Sequence, residues 1–165
     1  MNYPPLAESG VHLNFNQDFL EVPTHNKKLI IRKNLCTDIV IIKLFPGISM
    51  GVIESMLNIK GIKGVILETY GAGNAPSNKE FVGLISDAIS KGIYIINVTQ
   101  CVGGSVLPGH YETSSQLKKI GVIDAKDMTT ESATAKLMYL LGIGLKKDEF
   151  VLYYEQSLRG EITKK

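Results

Sequence analysis

The sequence is poor in the residues that crosslink small proteins or bind metals in them. Its 165 residues include two cysteines, Cys36 and Cys101, and three histidines. Two thiols this far apart cannot form a disulfide framework, so we expect both to be reduced. His12, His25 and His110 show no metal-ligand spacing with one another or with the cysteines. The sequence therefore predicts neither a disulfide nor a metal site.

Neither charge nor hydrophobicity is concentrated in any one stretch. Eighteen Lys and Arg residues against sixteen Asp and Glu residues give a formal net charge of +2. A weak and scattered charge predicts no nucleic-acid or acidic membrane partner. No apolar run approaches the roughly 20 residues that span a bilayer, and the N-terminal stretch lacks the basic and apolar regions of a signal peptide. We therefore expect a cytoplasmic protein that does not enter a membrane.

The composition is that of a single folded domain. Hydrophobic residues make up 44% of the chain and charged residues 21%, which is typical of a globular protein of this length. We predict one domain over residues 1–165, in which residues 1–35 are a lead-in. Apolar residues alternate over 11–15 as in a short edge strand, and residues 29–31 are a second candidate strand.

Nearly continuous apolar runs alternate with stretches of helical periodicity through the rest of the chain. Such runs are typical of strands buried on both faces of a parallel sheet. The four candidate strands are residues 39–44, 64–69, 93–98 and 122–123. Strands that alternate with helices predict an α/β domain in which helices cover both faces of a small parallel sheet. The predicted architecture is a three-layer fold of Rossmann-like or flavodoxin-like type with about four strands.

Helix ends carry their own local signals. Ser77 and Glu80 form a capping-box pair before the helix that follows the second strand, and Gly92 stands where its left-handed C-cap is expected. Thr129 is the predicted N-cap of a later helix, and Gly142 is predicted to end that helix.

The loop after the second strand, Tyr70 to Pro76, has the sequence YGAGNAP and raises the first functional question. In an open parallel sheet, ligands bind outside the carboxyl ends of the strands, and the loop after the third strand should face this one. The loop does not match a dinucleotide fingerprint, because Pro76 stands where its third glycine belongs. Two interpretations remain. Either the turn presents the Asn74 amide to a small polar ligand, or Gly, Asn and Pro are there only as turn formers.

Other residues near these loops have ambiguous chemistry. Cys101 is a candidate nucleophile with His110 as its base, or else a buried thiol at a strand end. Glu68 ends a buried strand, where a carboxylate is costly unless it is paired or hydrated. It either lines the mouth of a pocket or meets a lysine or water. Polar side chains in the loop after the third strand, Tyr111 among them, either reach a ligand or are solvated.

Five ordered segments carry a family resemblance. They are LFPGISMGVIESML (44–57), GVILETYGAGNAP (64–76), IINVTQCVGG (95–104), GVIDAKDMTTESATAKLMYLLG (121–142) and LRGEIT (158–163). Together they resemble the C-terminal domain of the cytoplasmic type I L-asparaginases over nearly the whole chain. The resemblance implies part of a two-domain amidohydrolase that converts L-asparagine and water to L-aspartate and ammonia. It also implies a threonine acyl-enzyme and no metal or cofactor.

The same resemblance places the threonine nucleophile and its supporting residues in an N-terminal domain. The one Gly-Gly pair of this chain, Gly103-Gly104, does not match the catalytic segments of the family, and neither does its one Thr-Asp pair, Thr37-Asp38. We therefore predict no catalytic residue in this chain and no turnover by the chain alone.

The resemblance implies two groups of site residues in this chain. The predicted substrate-binding residues, of which Asn74 would reach the active site of a neighbouring subunit, are Gly73, Asn74 and Tyr111. The predicted effector-binding residues, which line a pocket for asparagine in some bacterial members, are Glu68, Thr69, Thr99 and Cys101. Those regulated members have arginine at the position of Glu68. A carboxylate there would repel the carboxylate of an amino-acid effector.

Two functional classes fit these observations. As part of an enzyme, the chain would complete an asparaginase active site. Its partners would then be L-asparagine or another small amino acid, an N-terminal asparaginase domain and further copies of itself. As a binding module, it would sense an amino acid or hold subunits together without catalysis. An amidotransferase subunit that acts on glutamyl-tRNA shares this domain, but the near-neutral charge does not favour tRNA.

Overall fold

The computed structural model describes residues 5–20, 30–106 and 112–163. Its strands are β1 (Ala7–Ser9), β2 (Leu13–Phe15), β3 (Ile39–Lys43), β4 (Gly64–Thr69), β5 (Tyr94–Thr99) and β6 (Ile123–Asp124). Its helices are α1 (Met50–Leu57), α2 (Lys79–Ser90), α3 (Glu112–Lys119), α4 (Thr130–Ile143) and α5 (Lys147–Glu155).

Strands β3 to β6 form one parallel sheet in the order β3-β4-β5-β6. A first core lies between this sheet and helices α1, α2 and α3, and it contains Leu67 of β4 with Phe81 and Ile85 of α2. A second core joins Ile66 of β4 to α4 and α5, including Tyr154. Because neighbouring residues of a strand point to opposite faces, the two cores lie on the two faces of the sheet. The predicted three-layer α/β fold with four parallel strands is confirmed.

Burial distinguishes the central strands from the edge of the sheet. The apolar residues of β4 and β5 are buried, apart from the first residue of β5, as predicted for strands covered on both faces. The same prediction is wrong for β3, in which Ile41 is 45% exposed. Among the described strands, β3 pairs only with β4. An edge strand has a neighbour on one side alone, so its apolar run does not guarantee burial.

The predicted lead-in strands do not join this sheet. β2 lies within the predicted strand of residues 11–15, but it pairs with β1, which the sequence did not predict, in an antiparallel hairpin that turns near Gly10. Short strands separated by a tight turn lose little chain entropy when they pair, whereas pairing with a distant strand costs more. Ile30 and Ile31 are not in a strand, and Leu29 lies outside the described residues.

Thr129 and Gly92 act as predicted at the ends of their helices. Thr129 caps α4 through its side chain, and Gly92 follows α2 with a φ of +88°. Ser77 is not the cap of α2. The helix begins one residue later than predicted, and Asn78 Oδ1 accepts a hydrogen bond of 2.8 Å from the Phe81 amide. Serine and asparagine are both good capping residues, so the local sequence does not distinguish Ser77 from Asn78.

Gly142 does not end α4, which continues to Ile143 and is closed by Gly144 at a φ of +75°. Gly142 has a different structural role. A Cβ at this position would overlap the carbonyl oxygen of Asn34, because the segment before β3 passes over α4 there. The glycine therefore allows two backbones to approach closely, a need that arises only in the folded chain.

Candidate functional site

The loop after β4 is a closed turn. The Tyr70 amide donates a hydrogen bond of 2.8 Å to the Asn74 carbonyl, and the Asn74 amide donates one of 2.7 Å to the Tyr70 carbonyl. The Gly73 amide also donates to the Tyr70 carbonyl, at 3.0 Å. The backbone bonds that close the turn are therefore made within the turn itself.

Two glycines make this turn possible. Gly71 and Gly73 have φ angles of +48° and +97°, a region in which residues that carry a Cβ are strained. Space is also restricted at Gly73, where an added Cβ would lie 2.7 Å from Val106 Cγ1 and 3.1 Å from Asn97 Nδ2. The turn-former interpretation accounts for both glycines on these grounds.

The end of β5 holds the turn in place. The Thr99 hydroxyl donates a hydrogen bond to the Gly71 carbonyl, and Asn97 Nδ2 donates one of 3.2 Å to the Gly73 carbonyl. The Thr69 hydroxyl donates to Asn97 Oδ1 at 2.6 Å. Thr69, Asn97 and Thr99 are buried, which shields these bonds from competition by water. The predicted juxtaposition of the two strand ends and their loops is confirmed.

The Asn74 side chain has an unused hydrogen-bond acceptor. The residue is half-buried, and its Oδ1 atom is enclosed without a hydrogen-bond partner in the described structure. Leaving an enclosed carbonyl oxygen without a donor costs on the order of 1–3 kcal/mol. A pure turn former would direct this oxygen to its own backbone, as asparagine does in an Asx turn. Asn74 does not form such an Asx turn, and its role in ligand binding stays a prediction.

Glu68 has two partners within the protein. Its Oε2 atom lies 3.5 Å from Lys43 Nζ, and its Oε1 atom accepts a hydrogen bond of 2.6 Å from the Thr130 hydroxyl. Thr130 is the first residue of α4, so the carboxylate also lies near the positive end of that helix dipole. The alternative in which Glu68 meets a lysine is confirmed. Both carboxylate oxygens are engaged, which ties β4 to β3 and to α4.

Cys101 is exposed, so the prediction of a buried thiol at this position is wrong. Its amide donates to the Thr99 hydroxyl oxygen at 3.0 Å, and its carbonyl accepts a bond of 3.0 Å from the Gly104 amide. Cys101 lies two residues after Thr99, the last residue of β5. His110 and Tyr111 lie outside the described residues. The thiol nucleophile and the role of Tyr111 in substrate binding stay predictions.

The residues predicted to bind an effector do lie together, at the carboxyl ends of β4 and β5. They are Glu68, Thr69, Thr99 and Cys101. The hydroxyl protons of Thr69 and Thr99 already serve internal hydrogen bonds to Asn97 and Gly71. Both hydroxyls would therefore meet an effector chiefly as acceptors, and their role in effector binding stays a prediction.

The sequence reasoning missed two buried polar residues, Asn97 and Asp124, which are register partners on β5 and β6. Asp124 Oδ2 lies 3.7 Å from Lys118 Nζ and has no hydrogen-bond partner in the described structure. Burial raises the pKa of Asp124, and the Lys118 charge opposes that increase only in part. A lone asparagine inside the apolar run of β5 was the available signal, because a buried amide is costly unless it is hydrogen-bonded.

The described part of the chain contains neither a metal cluster nor a membrane span. No three His, Cys, Asp or Glu side chains in residues 5–20, 30–106 or 112–163 are grouped to hold a metal ion. No helix within these ranges is long and apolar enough to cross a bilayer.

Comparison with known proteins identifies the domain. The sequence profile of the glutaminase/asparaginase C-terminal domain matches residues 38–153. L-asparaginase 1 of Escherichia coli K12 is 38% identical over 162 residues, which are 98% of this chain and 47% of that protein. The crystal structure of L-asparaginase I from Vibrio cholerae superposes with a TM-score of 0.89 and 37% identity, over 98% of this chain and 48% of its own.

A protein with a different name carries a similar domain. A glutamyl-tRNA(Gln) amidotransferase polypeptide of Pyrococcus abyssi is 34% identical over 125 residues, which are 76% of this chain and 28% of that protein. The chain spans about half the length of the L-asparaginases it matches, and the domain by itself does not determine a reaction. The extent of the profile match and the agreement in fold show that the chain belongs to the glutaminase/asparaginase family, as its C-terminal domain.

Proposed function

We propose that this chain completes the substrate site of an L-asparaginase, which hydrolyses L-asparagine to L-aspartate and ammonia. The observation that carries the proposal is the enclosed, unpartnered Oδ1 atom of Asn74 in the turn after β4. L-Asparagine offers N–H donors in its ammonium group and in its side-chain amide, and either would satisfy this acceptor. Gly73 would contribute by bringing the backbone close to the ligand.

The fixed geometry of the turn supports this proposal. Bonds from Thr99 to Gly71 and from Asn97 to Gly73 hold the turn from the β5 side. A ligand that reaches Asn74 would therefore need to order little of the loop, which lowers the entropic cost of binding. Binding groups held on rigid elements in this way position a substrate more accurately than groups on a free loop.

In this proposal the chain binds and orients the substrate but does not attack it. An N-terminal asparaginase domain supplies the threonine nucleophile and the groups that activate it, and Tyr111 contributes to substrate binding from the loop after β5. A turn that reaches a neighbouring active site requires a second subunit, so homo-oligomerisation is part of the proposal. A cytoplasmic location is part of it too, and the free thiols of Cys36 and Cys101 fit a reducing compartment.

The regulatory alternative assigns amino-acid binding to the effector group instead. The Thr69 and Thr99 hydroxyls already donate hydrogen bonds within the protein, so they leave few donors for a ligand carboxylate there. Lys43 and Thr130, which could also donate, already contact Glu68. The negative charge of Glu68 would also repel that carboxylate. These contacts favour the active-site role of Asn74 over the sensing role of the effector group.

The test uses a chimera in which residues 1–165 replace the aligned half of E. coli L-asparaginase 1. We expect the chimera to release ammonia from L-asparagine and the isolated chain to release none. Asn74→Ala should lower kcat/KM of the chimera by at least about tenfold, because a substrate N–H loses its acceptor. Ser77→Ala is the matched control, since Ser77 is exposed in the same loop and does not cap α2.

An active chimera in which Asn74→Ala has no effect would contradict the proposal, as would ammonia release by the isolated chain. Calorimetric titration of the isolated chain with L-asparagine tests the alternative. Saturable binding that Glu68→Ala abolishes and Asn74→Ala leaves intact would support the regulatory role instead.

A further inference from the structure

The two arginines of the chain lie together in the folded protein. Of its 18 Lys and Arg residues, two are arginines, Arg32 and Arg159. They stand near opposite ends of the sequence, yet both line one cleft of about 260 Å³ beside α4. The planar guanidinium of arginine matches the paired oxygens of a carboxylate or phosphate, which the ammonium group of lysine does not. The fold thus places both of these groups at one site.

Neither guanidinium is paired with a carboxylate in the described part of the chain. The four ion pairs found there are all formed by lysines. Arg159 Nη1 donates a hydrogen bond of 2.8 Å to the Leu158 carbonyl, and a guanidinium carries five N–H donors. Arg32 and Arg159 are both exposed. Most donors of Arg159 therefore stay available to an anion, and solvent can reach both side chains.

An apolar groove continues from the two arginines along α4. A second cleft, of about 230 Å³, shares Tyr139, Leu158 and Arg159 with the first. We call the joined clefts the α4 groove. The large apolar and aromatic side chains that line it are Tyr139, Leu140, Ile143, Leu145, Tyr153 and Leu158. Small-molecule sites begin at roughly 300 Å³ and combine such a lining with a few polar groups. The α4 groove has both features.

The charge in the α4 groove is positive. Besides the arginines, the second cleft is lined by Lys136 and Glu161, whose side chains pair with each other at 2.6 Å. These two opposite charges cancel, so Arg32 and Arg159 leave positive charge in excess. The positive end of the groove is the cleft that both arginines line.

We propose that the α4 groove binds a small amphipathic anion, which carries a carboxylate or phosphate group on an apolar body. Arg32 and Arg159 hold the anionic group by charge-assisted hydrogen bonds. The apolar body lies over Tyr139 and Leu158 and extends into the second cleft, where its burial contributes about 0.8 kcal/mol for each CH₂ group removed from water.

This inference does not rest on the proposed function. None of the residues that line the α4 groove belongs to the turn after β4, and L-asparagine has no apolar body that would fill the groove. The ligand is therefore chemically distinct from the proposed substrate, and its site is distinct from Asn74.

The test titrates the unmodified chain with dodecanoate and with dodecyl phosphate in a calorimeter, each below the concentration at which it forms micelles. We expect saturable binding of at least one probe, and the tighter probe identifies the anionic group. Acetate has the carboxylate without the apolar body, and dodecyltrimethylammonium has the apolar body with the opposite charge. Both should bind at least about a hundredfold more weakly.

Arg32→Gln combined with Arg159→Gln should weaken binding of the tighter probe at least about tenfold, because the anion loses both guanidinium groups. Lys60→Gln combined with Lys79→Gln is the matched control. It removes the same charge beside α1 and at the start of α2, which pack on the opposite face of the sheet. Its affinity should equal that of the unmodified chain. All four residues are exposed, so neither double variant should shift the Tm.

Failure of both probes to bind would overturn the inference, as would equal losses in the two double variants or equally tight binding of dodecyltrimethylammonium. Light scattering measures the mass of the chain without a probe. A dimer that Arg32→Gln with Arg159→Gln abolishes would also overturn the inference, since the groove would then belong to a second copy.

The same titration of the chimera with E. coli L-asparaginase 1 shows whether the groove stays open beside the other half of that enzyme. Binding by the isolated chain that the chimera lacks would overturn the inference, because the added half would then fill the groove. Binding by a chimera that releases no ammonia would support the inference and count against the proposed function alone.

Discussion

Two buried polar clusters in this domain differ in their charge and in how fully their polar groups are paired. The rim network, at the carboxyl ends of the strands, consists of Thr69, Asn97, Thr99 and Asp124. Most of its groups are neutral, and one Asp124 oxygen has no hydrogen-bond partner in the described structure. The tail clasp consists of Lys136, Tyr154 and Glu161, and it centres on an ion pair between α4 and the last described residues.

The tail clasp satisfies its charges completely. Lys136 Nζ lies 2.6 Å from Glu161 Oε1 and also donates to the Gln156 carbonyl. The Glu161 carboxylate accepts further bonds from the Leu158 and Arg159 amides, at distances between 2.6 and 3.0 Å. These contacts pin the end of the described chain onto α4.

The clusters differ in how many of their buried polar groups are paired. Both charges of the clasp are paired within the protein, so its contacts stabilise the fold. The rim network instead uses its bonds to hold a turn, while Asn74 in that turn keeps an acceptor free. Under-satisfied polar groups in an otherwise consistent fold are where function is expected. The following predictions test this contrast, from the largest expected effect to the smallest.

Replacing Lys136 should have the largest effect on stability. Lys136→Ala leaves the Glu161 carboxylate in place without its cation, and breaking a buried pair in this way costs about 3–5 kcal/mol. Chemical denaturation at neutral pH measures the free energy of unfolding. Lys91 is exposed and its Nζ atom donates a hydrogen bond of 2.9 Å to Asn58, so Lys91→Ala should cost about 0.5 kcal/mol or less. Equal costs would show that the clasp does not act as a buried ion pair.

At the rim, Gly73→Ala should destabilise the domain by about 2–4 kcal/mol, because strain at a positive φ adds to a clash. The added methyl group would meet Val106 Cγ1 at 2.7 Å. Gly83→Ala in α2 is the control, since nothing lies within 4 Å of its added methyl group. The control should be neutral or stabilising by up to about 1 kcal/mol. Thermal denaturation that finds the two variants alike would contradict the constraint on the turn.

The clusters should also differ in how pH affects them. Burial alone would raise the pKa of Glu161, but hydrogen bonds from Lys136 and from backbone amides outweigh it and lower that pKa. Glu161 therefore contributes stability above its ordinary pKa of 4.5, and this contribution is lost as the pH falls through the lower folded-state value. Burial raises the pKa of Asp124, so its contribution is present below 3.8 and is lost as the pH rises through the folded-state value.

Denaturation at a series of pH values between 3 and 7 checks both signs. Glu161→Gln should reduce the free energy of unfolding most at neutral pH and progressively less below pH 4.5. Asp124→Asn should raise it at neutral pH, and that advantage should shrink as the pH falls toward 3.8. Both effects should be smaller than those of Lys136→Ala and Gly73→Ala. Two variants with parallel pH profiles would remove the distinction between the clusters.

The smallest effect concerns the helix that follows the turn. Asn78→Ala removes the side chain that accepts the Phe81 amide and should cost about 1 kcal/mol. Ser77→Ala should be neutral, because Ser77 is exposed and is not the cap. Circular dichroism during thermal denaturation compares the two variants. A larger loss for Ser77→Ala would contradict the position of the helix start.

Two apolar runs of similar composition show how far the sequence predicts the fold. Residues 64–69 predict β4 with the bounds that the structure has, because a central strand needs apolar residues toward both cores. Residues 39–44 carry the same pattern, yet they form an edge strand with an exposed Ile41. The sequence pattern of a strand shows how hydrophobic it is, but not whether other strands pair with it on one side or on both.

Some residues of the candidate site can likewise be identified from the sequence, whereas the role of others depends on the folded structure. Gly73 and Asn74 can be singled out from the sequence, because a glycine-rich turn directly after a buried strand lies at the edge of the sheet where ligands bind. Asn97 cannot be assigned its role from β5 alone. Its contact with Gly73 depends on the register between β4 and β5 and on the return of the loop. The need for glycine at position 142 also comes from a tertiary contact, because the backbone of Asn34 packs against it from a distant part of the chain.

The sequence by itself determined the alternation of strands and helices, the parallel sheet and the family, because periodicity, caps and ordered motifs are local properties of the chain. Only the tertiary structure decided which strand lies at the edge, which polar side chains are saturated, and that the Asn74 oxygen is enclosed without a donor. The physical reason is that hydrogen bonds and burial depend on neighbours that are remote in sequence, and the packing of the whole domain brings those neighbours together.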